Sequence, residues 1–340
     1  MKIFRPNGLP TAIGSMPNTD PEEAYSLLVQ YCPDIPVWPQ LPKRSFYENM
    51  YVQFSEGFPG IVIEDERIYV TRDGDADMTL EKLYTAYLEN DIDQYPLGEK
   101  YASGFHTFLR NSVKSPLAVK GQITGPISWA LTITDENRRS IIYDDELADA
   151  TAKLIRLKAA WQERELRKLA PTTIMFIDEP YLASLGSAFV AVSNSKVVRL
   201  LEEVFEGLEG LKGIHCCGNT DWSILLNTTV DIINFDAYNY ANSFILFADD
   251  IKTFLERGGI IGWGIVPVVD EDRQKETADS LCDRLKESIG RLEKKGISLD
   301  LLMERCMITP SCGLATSSVQ AATDVLMLTA NISQRLRKRC

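Results

Sequence analysis

Histidine is nearly missing from this chain. Two occur in 340 residues, His106 and His215, so any imidazole chemistry has only two possible seats. Basic runs are missing too, apart from Arg335-Leu336-Arg337-Lys338-Arg339, and the net charge is −12. A phosphate-tracking surface is not expected, and with it no nucleic-acid partner. No apolar run approaches the length that spans a bilayer, so no membrane role is expected. The opening Met1-Lys2-Ile3-Phe4-Arg5-Pro6 lacks the apolar stretch of a secretion signal. The seven cysteines are odd in number and widely scattered. That pattern argues against a disulfide framework. It points to a cytoplasmic, reduced protein in which clustered Cys and His serve metal binding or catalysis.

What is present is concentrated in His215-Cys216-Cys217 and Thr309-Pro310-Ser311-Cys312-Gly313-Leu314. If residues 214–217 end a β-strand, alternation puts His215 and Cys217 on one face and Cys216 on the other. An imidazole and a thiolate side by side, joined by a distant thiolate, suit zinc. Cys216 reads as an ordinary buried thiol.

Short apolar runs at 11–15, 36–41, 117–122, 172–178, 213–217, 231–236, 259–266 and 306–309 read as strands. Amphipathic helical patterns at 145–169, 196–208, 245–257, 275–295 and 317–337 lie between the later ones. Eight strands with helical crossovers predict an α/β fold, a TIM (β/α)8 barrel spanning 1–340 as one domain. Residues 43–115 are too many for a simple crossover. They predict a long insertion after strand 2, with a hairpin turning at Asp65-Glu66 and helices at 80–89 and 101–110. It is read as a lid or a dimer contact. Sites in such barrels gather at the carboxyl ends of the strands, where the unusual residues of this chain fall.

In order along the chain, these strand ends resemble the zinc-dependent thiol methyltransferases of the cobalamin-independent methionine synthase superfamily, specifically its catalytic C-terminal barrel. Thr11-Ala12-Ile13-Gly14-Ser15 is similar to its Ile-Gly-Ser strand end. Ile177-Asp178-Glu179-Pro180 is similar to its Asp-Glu-Pro motif. His215-Cys216-Cys217 is similar to its His-x-Cys pair, and Pro310-Ser311-Cys312-Gly313-Leu314 to the motif of its last ligand cysteine. The resemblance implies a Zn²⁺ set of His215, Cys217, Asp236 and Cys312. Asp236 stands where the family more often has Glu, and its alternative role is a helix cap. The resemblance also implies homocysteine as acceptor, with its carboxylate at Gly14 and Ser15 and its amine at Asp178 and Glu48. Asp178 is the candidate for a catalytic as well as a substrate-binding role. Gln122, Thr124 and Trp129 are expected to line the mouth, with plain core as the alternative for Trp129.

The methyl donor is read from a departure. The folate-using relatives carry a second barrel and a histidine after their seventh strand. The comparable segment here, Gly262-Trp263-Gly264-Ile265-Val266-Pro267-Val268-Val269-Asp270, has no histidine. A departing folate amine needs a proton, whereas cob(I)alamin leaves without one. A methylcorrinoid donor is therefore expected, free methylcobalamin or a corrinoid protein partner. The chain also resembles the methylcobamide:coenzyme M methyltransferases, which leave another thiol open as acceptor. A uroporphyrinogen decarboxylase-like barrel and a non-catalytic corrinoid-docking barrel are the remaining alternatives. The former would need basic residues near the start, where only Lys2 and Arg5 occur before Lys43.

Overall fold

Three prolines and one glycine decide how the sheet closes. The protein is seen in a computed structural model that describes residues 4–111, 113–187 and 190–338. Met1, Lys2 and Ile3 of the opening, and Arg339 of the basic tail, lie outside the described residues. The strands among them are β1 (Leu9–Pro10), β2 (Ile61–Glu64), β3 (Arg67–Val70), β4 (Val119–Thr124), β5 (Thr134–Asp135), β6 (Thr173–Asp178), β7 (Leu211–Cys216), β8 (Ile232–Phe235), β9 (Ile260–Val266) and β10 (Cys306–Pro310). Seven form one parallel sheet in the order β1-β10-β9-β8-β7-β6-β4. The runs predicted from residue 117 onward appear as β4 and β6 to β10.

The first two predicted strands are cut short for a physical reason. Pro36, Pro39 and Pro42 carry no N–H, so segment 36–41 cannot sustain a ladder. It keeps one parallel bridge on each side, Val37 with Lys120 and Gln40 with Ser15. Gly14 sits at φ 138°, and a Cβ there would come 2.5 Å from the Gln122 Nε2. Only glycine tolerates both conditions. The result is a curled, mostly parallel sheet wrapped in helices, consistent with a TIM-like barrel.

Apolar residues fill the inner end of this sheet: Leu9, Ile35, Ala118, Phe176, Ile232, Ile260 and Met307 are all buried in one cluster. A second, larger core lies between sheet and helices. The helix Asp145–Arg167 starts where the Asp144 carboxylate accepts from the Glu146 and Leu147 N–H groups, and it packs on β4 and β6. Its Leu154 and Leu157 are fully buried, each worth about 1.5–3 kcal/mol.

Within 43–115, β2 and β3 pair antiparallel, with Asp65 at φ 46° and Glu66 at φ 58°. That left-handed pair is what a two-residue hairpin turn requires. The helices Ala76–Glu89 and Ser103–Arg110 come next in the chain. A parallel third strand, β5, joins β3 and was not anticipated. At the other end of the sheet the register aligns a row of polar residues. Thr124 lies beside Asp178, Asp178 beside His215, His215 beside Asn234, and Asn234 beside Gly262. These strands thus present their functional side chains at one height.

Candidate metal centre

Donor atoms of His215, Cys217 and Cys312 all lie within 4.8 Å of one another. His215 is near the end of β7 and Cys217 comes just after that strand. Cys312 comes from the loop after β10. That loop closes on the first strand because Gly313 has no Cβ; one there would come 2.0 Å from the Ser15 Oγ. The Leu314 N–H then donates to the Ser15 carbonyl at 2.9 Å. Cys216 is buried, with its thiol toward the Gly218 carbonyl at 3.5 Å.

The second layer sets the chemistry of the imidazole. Asn234 Nδ2 donates to the Gly262 carbonyl at 2.9 Å and to Thr309 Oγ1 at 2.7 Å. A carbonyl can only accept, so the amide nitrogen faces Gly262 and the amide oxygen faces His215. His215 Nδ1 stands 2.6 Å from that oxygen and carries the proton. Nε2 is buried with no oxygen or nitrogen partner. A neutral ring held in this tautomer offers Nε2 as a metal ligand. Gly262 is part of the device, since a Cβ there would meet Asn234 Nδ2 at 2.7 Å.

The sulfurs pull the other way, favouring a shared proton between the ring and the thiolate. Hydrogen bonds from Cys312 and then His215 hold the Cys217 pKa well below the thiol range. Cys312, the donor of that bond, is pushed up by it and by burial. For His215, burial pulls the pKa down, but its hydrogen bond to Cys217 and the nearby charges carry it net upward. Two sulfurs and one imidazole nitrogen in this space fit a borderline-soft divalent ion such as zinc.

Two acids stand beside the cluster without full partners. Asp178 is buried, its Oδ1 has no hydrogen-bond partner, and burial pushes its pKa up to about 6 against the charges of His215 and Lys120. Glu48 is fully buried; one carboxylate oxygen accepts from Ser103 Oγ at 2.7 Å and Arg44 at 3.2 Å. Its Oε2 has no partner, and burial is the leading cause of a raised pKa. Glu179 differs. Its carboxylate accepts from the Ile127 N–H at 2.8 Å, the Ser128 N–H at 2.7 Å and the Ser128 hydroxyl at 2.6 Å. It therefore caps the helix Pro126–Thr132. A cleft of about 230 Å³ is lined by the metal-ligand candidates together with Ser15, Glu48 and Asp178.

Other expected site residues have different hydrogen-bond partners, though Asp236 is near enough to feel the charges of Cys217 and His215. Asp236 is not in the cluster; it caps the helix Ala237–Phe244, its oxygens accepting from the Asn239 N–H at 3.0 Å and the Asn239 side chain at 2.7 Å. Thr124 and Trp129 lie behind the cleft rather than in its lining. Thr124 Oγ1 donates to the Met50 carbonyl at 2.7 Å, and Trp129 Nε1 to the Tyr51 carbonyl at 2.8 Å. They anchor the backbone from which Met50 does line the cleft. Gly14 shapes the strand end from beneath, against Gln122, which is itself fully buried. Sequence reasoning missed Asn234. Its signal was a lone amide in the otherwise apolar strand Ile232–Phe235.

Comparison with known proteins adds the fold. No protein-family profile matches the chain, and no curated protein does. Among solved structures it is similar to "a B12-independent methionine synthase from Shewanella sp. W3-18-1 in complex with Selenomethionine", at 17% identity and a TM-score of 0.58, over 97% of this chain and 98% of that one. The two share a fold. A methyltransferase from Methanosarcina mazei is a fainter likeness, at 13% identity and a TM-score of 0.49, over 94% of this chain and 86% of that one. The Shewanella chain is matched almost end to end, so the two folds are of comparable extent. Among the described residues no helix is long and apolar enough to cross a membrane.

Proposed function

We propose that this protein is a zinc-dependent methyltransferase whose acceptor is an amino thiol, homocysteine in the leading reading. The observation that carries it is the pairing, in one cleft, of a His/Cys/Cys cluster with two buried carboxylate oxygens that have no partner. A buried carboxylate oxygen without a hydrogen-bond partner calls for a donor from the ligand, and an ammonium is one. The cluster calls for sulfur. A small molecule with a thiol at one end and an ammonium at the other answers both, and a cleft of about 230 Å³ suits its size.

His215, Cys217 and Cys312 would hold the zinc, which when bound deprotonates an incoming thiol at neutral pH. Asn234 keeps His215 in the ligating tautomer. Asp178 and Glu48 bind and orient the amine, and an ammonium between them restores the ionised form that burial disfavours. Glu48 belongs to the 43–115 segment, which on this reading is an insertion completing the substrate site. Coenzyme M carries a sulfonate and no amine, and the two acids would repel it. The carboxylates of a porphyrin would need basic partners, and the cleft lining contains no Lys or Arg.

For the donor we favour a methylated corrinoid. Transfer breaks the cobalt–carbon bond, leaves its electron pair on cobalt and forms the carbon–sulfur bond, so no proton need reach the leaving group. The cleft lining has one imidazole, His215, and Asn234 already holds its Nδ1 proton. The extent of the chain no longer argues for a corrinoid, since the Shewanella protein of similar extent is described as B12-independent.

The test is anaerobic incubation of zinc-loaded protein with homocysteine and methylcobalamin, following methionine and corrinoid demethylation together. Methionine at catalytic turnover supports the whole reading. Methionine only with a methylated folate would overturn the donor and keep the acceptor. Turnover with coenzyme M and none with homocysteine would overturn the acceptor.

A further inference from the structure

The two sulfurs of the cluster also form a pair in their own right. Cys217 follows β7 and Cys312 follows β10, and in the sheet order β10-β9-β8-β7 two strands lie between them. Their Sγ atoms nevertheless come within 4.8 Å of each other, with Cys312 hydrogen-bonded to Cys217. Both are half-buried and line the cleft of about 230 Å³. The other cysteines among the described residues, Cys32, Cys216, Cys282 and Cys306, are buried. Cys216 is adjacent in sequence, yet its thiol turns to the Gly218 carbonyl at 3.5 Å. Among the described residues, a small oxidant entering the cleft therefore meets these two sulfurs and no other.

Zinc and a disulfide compete for the same sulfur lone pairs. A bound ion would hold both sulfurs as ligands. Without one, a disulfide of about 2.05 Å requires the sulfurs to close by no more than ~3 Å, a movement that side-chain rotation supplies. Hydrogen peroxide is the class of oxidant that balances the step. One sulfur attacks a peroxide oxygen and becomes a sulfenic acid as water leaves; the other sulfur displaces the sulfenic oxygen as a second water. Two thiols lose two electrons and both protons, and one peroxide becomes two waters. Resting on the zinc reading of the cluster, we propose that Cys217 and Cys312 are a redox switch: peroxide joins them in the metal-free protein, and the joined form cannot take zinc. Of the three ligands only the His215 imidazole is then left, too few for a zinc site. A thiol reductant reopens the pair by exchange through a mixed disulfide, and the site reloads.

The test exposes metal-free and zinc-loaded protein to hydrogen peroxide, maps disulfides by mass spectrometry of unreduced digests, and measures zinc uptake once the oxidant is removed. The metal-free protein should yield a peptide pair linked from Cys217 to Cys312 and should lose its zinc uptake. Dithiothreitol should return uptake to the level of untreated protein. Zinc-loaded protein should keep its zinc and form no link over the same interval. Cys216→Ala separates the adjacent sulfurs and should show the same link and the same loss; if that variant does not fold, fragment ions of the parent peptide make the assignment. A link through Cys216, separate sulfinic acids at Cys217 and Cys312, full zinc uptake by the linked protein, or a link that forms as fast with zinc bound would each overturn the proposal. A reduced protein that takes up no zinc would overturn the zinc reading and the switch with it, whether or not the link forms.

Discussion

Replacing Asn234 by leucine, which branches at the same carbon and is somewhat larger, removes the hydrogen-bonding frame of His215 and opens no cavity. Three bonds vanish, to His215 at 2.6 Å, to Gly262 at 2.9 Å and to Thr309 at 2.7 Å. At a net ~0.5–1.5 kcal/mol each, the metal-free fold should lose about 1.5–4.5 kcal/mol. The effect on metal is separate. Without the amide oxygen, Nδ1 has no acceptor, and the ring no longer prefers the tautomer that frees Nε2. Loss of such an outer partner lowers metal affinity by about 10–100-fold. Competition for zinc against a chromophoric chelator measures the loss of affinity, and chemical denaturation of the metal-free protein measures the loss of stability. A folded Asn234→Leu protein that binds zinc within about twofold of the parent would refute the claim that Asn234 sets the ligating nitrogen.

Cys312→Ala should abolish stoichiometric zinc and methyl transfer together; full zinc occupancy by elemental analysis would exclude Cys312 as a ligand. Asp178→Asn should weaken amino-thiol binding far more than zinc binding, read by titrating each separately, and equal losses would make Asp178 structural. Glu179 gives a pH prediction. Burial raises its pKa from 4.5 to about 7 against the hydrogen bonds from Ser128 and Ile127, so the folded state holds the proton more tightly than the unfolded chain. Its stabilising contribution is complete below about pH 4.5 and is lost as pH climbs through about 7, a change of about 3 kcal/mol. Glu179→Gln should flatten that part of the stability–pH curve of the metal-free protein; an unchanged slope would show that Glu179 is not the group responsible.

Much of the architecture was legible because strands and helices write their period into the order of residues. The runs behind β4 and β6 to β10 alternate with 3.6-period helices, and the hairpin of β2 and β3 announced itself at Asp65-Glu66. The second predicted strand was overestimated because apolar character was weighed above proline, and the first because it contains Gly14 at a φ of 138°. Pro36, Pro39 and Pro42 cannot donate to a ladder, whatever their neighbours prefer. The strand β5 was invisible, since two residues carry no period.

By itself the sequence determined the ingredients of the site: one histidine two residues from a thiol, a second thiol after the last strand, and an acid at the end of β6. Covalent order and strand alternation suffice for that, because they govern which side chains share a face. Only the tertiary structure decided what each ingredient meets. It turned Asp236 and Glu179 into helix caps and left Asp178 and Glu48 each with an oxygen unpartnered. It set Asn234 behind His215 and Cys312 beside Cys217. Those outcomes depend on register between strands distant in sequence and on where a missing Cβ lets one chain approach another, and neither is encoded in any local stretch of residues.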